Sequence, residues 1–267
     1  MESVAVVELQ QIEAFIRSFL WPFIRISAMT MAMVVFGSAI MSAQKRVVLS
    51  LAITAVIVPV LPTMPAVDML SYQGWMITIQ QLFIGVTVGF VSRLIFETFI
   101  VGGQVVAMTS GLGFAQINDP ASGVTVPAVG QFFLMMATLI FLAVDGHLLM
   151  IDIIVRSFYS MPVGVAGISA SDLPSIFVDM ASSMFAVGLK MALAAVTSLL
   201  IVNLSFGILT KVAPTLNIFV IGFPIILTFG LLILWFTING FDRYFNLQFI
   251  NGMDVTCQLV KVECANG

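Results

Sequence analysis

Ionisable side chains are scarce inside the long apolar segments of this chain, so any acid–base chemistry would have to come from the few that occur there. Two pairs are spaced four residues apart, Arg93 with Glu97 and Asp152 with Arg156. Residues four apart share a helix face, so each pair can form an ion pair or, alternatively, relay protons. Asp152 precedes Arg156, which is the favoured order in a helix. We interpret both pairs as structural.

His147 is the only histidine and the candidate for a general base or a metal ligand. No Gly-x-Ser-x-Gly turn and no His-Glu-x-x-His helix accompanies it, and no second cluster of ligands is present for a metal or a cofactor. We therefore expect His147 to be a hydrogen-bonded residue at a helix end. The sequence predicts no metal, no cofactor, no catalytic residue and no enzymatic activity.

Two further features leave alternatives open. Lys190 stands alone in the apolar string VGLKMAL, so it either reaches an interface with its long stem or meets an acidic side chain of a partner subunit. Cys257 and Cys264 lie near the C-terminus without a histidine nearby, and we interpret them as free thiols. A disulfide between them would require an oxidising compartment.

Residues 111–123 read GLGFAQINDPASG, a stretch rich in helix breakers and amides between apolar segments. Irregular backbone at membrane depth persists only where protein buries it or where it lines a watery path. Apolar side chains in such a place can gate a pore by excluding water. A plain connecting loop is the alternative. As a gate, the stretch would use glycine hinges, an apolar seal and a polar turn, drawn from Gly111, Leu112, Gly113, Phe114, Ala115, Gln116, Ile117, Asn118, Asp119 and Pro120.

The elements that hold this stretch are six apolar segments, most of them near the roughly 20 residues that cross a bilayer. They cover residues 24–43, 47–61, 75–101, 126–150, 180–210 and 216–240. An amphipathic N-terminal helix precedes them and is predicted to end near Trp21 and Pro22. Gly102 and Gly103 are predicted to end the third segment. The expected fold is all-α, with about six helical units in one domain, residues 1–250, and a polar tail, residues 251–267.

Composition agrees with a membrane protein. The chain has 267 residues, of which 60% are hydrophobic and only 9% charged, with a net charge of −3. Soluble domains carry about a quarter charged residues. The basic residues are not clustered, so nucleic acid is excluded as a partner, whereas lipid is expected. Gly85 and Gly89 permit close helix packing, either within the chain or against another subunit.

Three strings give the chain a specific resemblance: GLGFAQINDPAS at 111–122, DGHL at 145–148, and LTKVAPTLNIFVIGFP at 209–224. With these strings the chain resembles the R/T subunit family of type III protein-export gates, and within it the flagellar branch. The family commonly has Arg at the position of Lys211 and Gln at that of Thr215. The family motif positions carried by this chain are Lys211, Pro214, Asn217, Phe219, Gly222, Pro224 and His147.

The resemblance implies about six long, bent helices arranged as hairpins, similar to one P subunit joined to one Q subunit. It implies a non-enzymatic pore subunit that assembles with P and Q subunits (FliP and FliQ) and meets the switch subunit FlhB and FlhA. It implies that the loop at 106–122 is a plug over the path of unfolded flagellar proteins. It also implies a place in the bacterial inner membrane at the flagellar basal body, with part of the complex raised toward the periplasm. An injectisome homologue of the same gate is the close alternative. A secondary transporter with broken helices at Gly102-Gly103 and Pro127 is the alternative from another class.

Overall fold

The fold is helical along most of its length. A computed structural model describes residues 2–37, 41–114, 116–118, 125–164, 173–212 and 218–264. Two 3-10 helices, Val58–Val60 and Leu112–Phe114, and a two-stranded antiparallel sheet, β1 (Gln116–Asn118) with β2 (Thr125–Pro127), lie between its α-helices. The α-helices of the described residues are α1 (Glu2–Ala32), α2 (Val34–Gly37), α3 (Ala43–Ile57), α4 (Tyr72–Thr109), α5 (Ala128–Ala143), α6 (Gly146–Ser160), α7 (Leu173–Val212), α8 (Ile218–Ile238) and α9 (Phe241–Val260). The predicted all-α hydrophobic fold is confirmed, and the small sheet is an addition to it.

Several of these helices have the length and apolarity to cross a membrane. Three segments of the described chain are each long and apolar enough for one crossing: Ala43–Val60, Tyr72–Thr109 and Leu173–Val212. Two bent pairs raise the number to five if each pair makes one crossing. These are α5 with α6, bent by 65°, and residues 224–238 of α8 with α9, bent by 55°.

The N-terminal helix is longer than predicted. We expected it to end near Trp21 and Pro22, but α1 continues through both residues to Ala32. Proline inside a helix removes one hydrogen bond and crowds the preceding turn. Packing offsets that cost here, since Trp21, Ile26 and Met29 are all fully buried.

Gly85 and Gly89 serve packing within the chain. A Cβ at Gly85 would lie 2.7 Å from the Cβ of Ala28, and one at Gly89 would lie 2.6 Å from the carbonyl oxygen of Met29. Both distances are shorter than real contacts allow, so α4 approaches the backbone of α1 through these two glycines. Of the two alternatives for this spacing, the structure shows the intrachain one.

Contacts divide the chain into two compact units. The first comprises residues 1–93, 145–177 and 253–267, and the second comprises residues 94–144 and 178–252. The core of the second unit is aromatic: the ring centroids of Phe99 and Phe241 lie 5.0 Å apart, and those of Phe133 and Phe241 lie 5.5 Å apart. Aromatic pairs at this spacing stabilise a core beyond the area that they bury.

The prediction that Gly102 and Gly103 end a helix is wrong, because α4 continues through them to Thr109. Both glycines mark close helix contacts inside the second unit. A Cβ at Gly102 would lie 3.0 Å from the carbonyl oxygen of Gly188 on α7, and one at Gly103 would lie 2.6 Å from the Cα of Gly130 on α5. Local sequence does not distinguish a glycine in a tight helix contact from a glycine at a helix end. Only the tertiary structure shows which of the two roles applies.

Two predicted boundaries also shift. The segment predicted at 126–150 is interrupted at Asp145, which has a φ of 55° and precedes α6. Aspartate tolerates this left-handed conformation better than most residues. The boundary predicted at residue 250 falls inside α9, whose face carrying Met253, Cys257 and Val260 is buried. The first ten residues of the expected polar tail are therefore helical and packed.

The prediction of free thiols is wrong for Cys257 and Cys264, which form a disulfide with a Cα–Cα distance of 5.8 Å. The end of α9 brings them together. Lys261 adopts a φ of 54°, the amide of Val262 donates to the carbonyl of Cys257 at 2.9 Å, and the amide of Lys261 donates to Gln258 at 3.2 Å. This is the Schellman pattern of a helix C-terminus, which turns the chain back over the last helical turn.

Candidate functional site

The stretch rich in helix breakers, residues 111–123, begins two residues after the end of α4. The amide of Ser110 still donates to Val106 at 3.0 Å, and its hydroxyl donates to the carbonyl of Ala107 at 3.2 Å. Gly111 follows with a φ of 75°. Glycine commonly adopts this left-handed conformation directly after the last residues of a helix. The chain therefore leaves α4 at a position that favours glycine.

A β-hairpin follows the turn. After the 3-10 helix Leu112–Phe114, β1 pairs with β2 in antiparallel register, with Ile117 opposite Val126 and Asn118 opposite Thr125. Gln116 lies opposite Pro127, and proline can donate no hydrogen bond to a strand partner. The helix α5 begins at the next residue, and both strands and the 3-10 helix contact it. We call residues 110–127 the hairpin segment.

The first half of the hairpin segment carries no charged side chain. Residues 110–118 contain no ionisable side chain. Leu112 is partly exposed, and Gly113 has space around it, because a Cβ there would lie 3.5 Å from the Cα of Met108. Of the two predicted hinges, only Gly111 adopts a conformation that favours glycine.

Part of the predicted gate lies outside the described residues. Ala115, Asp119 and Pro120 belong to that part. For Phe114, Gln116, Ile117 and Asn118 the backbone is described and the side chain is not. The seal centred on Phe114 and the turn at Asn118-Asp119-Pro120 therefore stay predictions.

The root of the hairpin segment is held by α8. Ser110 is fully buried, and a Cβ added to Gly230 of α8 would lie 2.6 Å from the Cβ of Ser110. Only a glycine permits this approach without displacement. The close contact joins the end of α4 to the helix that carries the end of the third sequence string.

Comparison with known proteins gives the family. The model of bacterial export proteins, family 1, matches residues 16–251. This chain belongs to that export family. Because the match covers most of the chain, it includes the hairpin segment and the helices that hold it.

Relatives of this export-family chain match more than four fifths of its length. The flagellar biosynthetic protein FliR of Pectobacterium carotovorum subsp. carotovorum is 36% identical over 223 residues, which are 82% of this chain and 84% of the relative. The protein of the same name from Escherichia coli (strain K12) is 34% identical over 88% of this chain and 92% of its own length. That from Aquifex aeolicus is 28% identical, with 83% and 85% covered. The resemblance to the flagellar branch is confirmed.

The export-family string at 209–224 spans the end of α7 and the start of α8. Lys211 is exposed in the last turn of α7, where a cation interacts favourably with the helix dipole. Gly222 is buried within α8, and Pro224 lies exposed in the same helix, its carbonyl accepting from the Thr228 hydroxyl at 2.8 Å. Pro214 and Asn217 lie outside the described residues, as does the side chain of Phe219.

The remaining predicted residues are dispersed in the export-family fold. Asp152 Oδ2 and Arg156 Nε lie 2.8 Å apart, and both side chains are about half exposed, with relative areas of 50% and 52%. Such a pair contributes little to stability, of the order of 0 to 1 kcal/mol. Arg93 and Glu97 lie four residues apart on α4, and their pairing stays a prediction.

His147 is the second residue of α6, whereas the sequence placed it at the end of the segment 126–150. Its Nδ1 is buried and has no hydrogen-bond partner among the described residues, so the expected hydrogen bond is not found at this atom. Within the same residues no group of three His, Cys, Asp or Glu side chains could hold a metal ion.

Arg25 has a structural role that the sequence analysis did not predict. It is fully buried, yet it forms no ion pair with a carboxylate among the described residues. Its Nε donates to Gln81 Oε1 at 2.7 Å, its Nη1 donates to the carbonyl and hydroxyl of Ser157 at 3.0 Å, and its Nη2 donates to the carbonyl of Met161 at 3.0 Å. The guanidinium carbon lies 4.0 Å from the ring centre of Phe158. Arg25 therefore joins α1 and α4 to the C-terminal end of α6, where it adds a second donor to the Ser157 carbonyl and supplies one to the carbonyl of Met161.

One signal in the sequence could have indicated this role. Arg25 has no acidic residue three or four positions away on its helix. A cation in an apolar segment without such a neighbour must find its hydrogen-bond acceptors elsewhere in the fold.

Proposed function

We propose that this chain is the non-enzymatic pore subunit of the flagellar type III protein-export gate and that the hairpin segment is its plug. Leu112, Phe114 and Ile117 form the seal in this proposal, and the plug opens to admit unfolded flagellar proteins. The observation that carries it is a β-hairpin between two apolar helices whose two strands carry no ionisable side chain, preceded by the turn at Gly111 and by Ser110, which packs against Gly230 of α8.

The physical argument is about where such a backbone can persist. Lipid cannot satisfy the backbone groups of a short hairpin, so a hairpin in a membrane assembly belongs where protein covers it or where it lines an aqueous path. An uncharged, partly apolar constriction resists ions because it excludes water. The same seal needs no specific contact with cargo, which suits a path for chains of varied sequence.

Assembly with other subunits is the second part of the proposal. The outer faces of α7 and α8 carry large exposed apolar side chains, among them Leu200 at 65%, Leu204 at 65% and Trp235 at 68% exposure. We infer that lipid and the P and Q subunits (FliP and FliQ) cover this surface, with FlhB and FlhA as further partners. The location is the bacterial inner membrane at the flagellar basal body, with part of the complex raised toward the periplasm.

Two alternatives are less well supported. A secondary transporter would use helices broken at the substrate site, but α4 continues through Gly102 and Gly103. An injectisome subunit would share the gate architecture, whereas the relatives described above are flagellar biosynthetic proteins. Loss of swimming together with loss of hook assembly in a deletion strain is expected for the flagellar branch. Normal hooks in that strain would contradict it.

Cross-linking to stalled cargo tests the plug assignment. A photoreactive amino acid at Leu112 is expected to cross-link to an export substrate arrested in the channel. The matched control is the same amino acid at Val56 of α3, which is 77% exposed and lies far from the hairpin segment in sequence. Cargo adducts at Val56 equal to those at Leu112, with both variants incorporated into the assembly, would contradict the proposal.

A further inference from the structure

A groove between α7 and α9 lies apart from the hairpin segment within the second unit. Its volume is about 640 Å³. The side chains that line it come from one face of each helix: Lys190 and Leu193 of α7, with Arg243, Tyr244, Leu247 and Ile250 of α9.

The charge in this groove is unbalanced. Lys190 and Arg243 both line it, and none of its six lining residues is acidic. Neither cation forms an ion pair with any other described residue. Asp242 precedes Arg243 in the sequence but is not part of the lining. Two like charges facing one cavity repel each other, so an anion between them would be stabilised by both.

The rest of the groove is apolar. Leu193, Leu247 and Ile250 are 52%, 54% and 59% exposed, although each is a large hydrophobic side chain. Tyr244 adds a ring with a polar hydroxyl, the type of side chain enriched where apolar and polar surroundings meet. The groove therefore suits a molecule with an anionic head and a hydrocarbon chain.

Size and surroundings favour a lipid over a protein segment as the occupant. A cavity of about 640 Å³ falls in the range of small-molecule sites. The helix α7 is one of the three segments that can cross a membrane singly, so lipid is its ordinary neighbour. Basic pockets between membrane helices are known to bind anionic headgroups.

We propose that this groove binds an anionic phospholipid, with its phosphate between Lys190 and Arg243 and an acyl chain along Leu193, Leu247 and Ile250. For Lys190, this proposal specifies the first of the two sequence-based alternatives, because the interface that its side chain reaches is then a lipid phosphate. The site does not depend on the plug assignment, since it lies on other helices of the chain.

Lipid binding to the full-length chain, purified in detergent with its co-purifying subunits, tests the proposal. Native mass spectrometry would compare phosphatidylglycerol with phosphatidylcholine of the same acyl chains. The double variant Lys190→Gln with Arg243→Gln should weaken phosphatidylglycerol binding about thirtyfold, whereas Lys190→Arg with Arg243→Lys should retain it. The matched control, Lys45→Gln with Lys261→Gln, removes two exposed cations elsewhere and should bind as the unchanged chain does.

Three results would overturn the proposal. The first is equal binding of phosphatidylglycerol by the groove variant and the control variant. The second is complete competition by inorganic phosphate at the same concentration as the lipid, because the hydrocarbon contacts would then add nothing. The third is exclusive cross-linking of a photoreactive residue at Leu247 to a protein subunit.

Discussion

Gly230 of α8 lies directly against Ser110 at the end of α4, with only 2.6 Å between the Cβ of Ser110 and the position that a Cβ of residue 230 would take. The hairpin segment starts one residue later, at Gly111. A change at Gly230 therefore acts on the root of the proposed plug without altering any residue of it.

We expect Gly230→Ala to destabilise the contact between α8 and the hairpin root by about 1 to 3 kcal/mol, since overpacking displaces backbone. Gly207→Ala on α7 is the matched control, because a Cβ there meets nothing within 4 Å. Thermal unfolding of the purified assembly measures the difference. Adding Ser110→Gly should recover part of the stability lost in Gly230→Ala. A Gly230→Ala variant as stable as Gly207→Ala would refute the close contact.

The two glycines of the predicted hinge should respond differently to alanine. Gly111 has a φ of 75°, a conformation that costs an alanine about 1 to 2 kcal/mol. A Cβ at Gly113 makes only an ordinary contact, 3.5 Å from the Cα of Met108. We expect Gly111→Ala to lower the unfolding temperature and the rate of export, and Gly113→Ala to leave both nearly unchanged. Equal effects of the two substitutions would show that the turn at Gly111 is not the conformational constraint.

We expect that Arg25 can be replaced neither by an uncharged residue nor by lysine without loss of stability. Arg25→Met would remove the donor to the buried Gln81 Oε1 and to the carbonyl of Met161, and leaving a buried acceptor unpaired costs about 1 to 3 kcal/mol. Arg25→Lys retains the charge but cannot reproduce the planar set of hydrogen-bond donors. The amount of purified variant protein and its unfolding temperature should therefore also fall. Lys45→Met, at an exposed position, is the control. Stability of Arg25→Lys equal to that of the unchanged chain would contradict this role.

The Cys257–Cys264 disulfide predicts an oxidising environment for the end of α9. Thiol labelling of denatured protein from intact cells should modify neither cysteine unless a reductant is added first. In cells that lack periplasmic thiol oxidation, both cysteines should become reactive. Full labelling without reductant in ordinary cells would place the two thiols in a reducing compartment.

Local sequence predicted the features that depend on local physics. The apolarity and length of α4 and α7 are evident from composition, and the breakers around Gly111 coincide with the end of α4. Non-local features escaped prediction. Gly102 is a contact with α7, and Arg25 finds partners 56 and 132 residues away, which no local pattern encodes. Strands of three residues, such as β1, are too short for an alternating pattern to register.

Permeability of the assembled gate tests the plug most directly. In cells that assemble the full export complex, ion and small-solute leakage across the inner membrane would be compared for the unchanged chain, a deletion of residues 112–118, and a length-preserving Leu112→Ser, Phe114→Ser, Ile117→Ser variant. The proposal predicts leakage in both variants, because the water-excluding seal is removed. An unchanged permeability barrier, with both variants present in the assembly at normal levels, would contradict it.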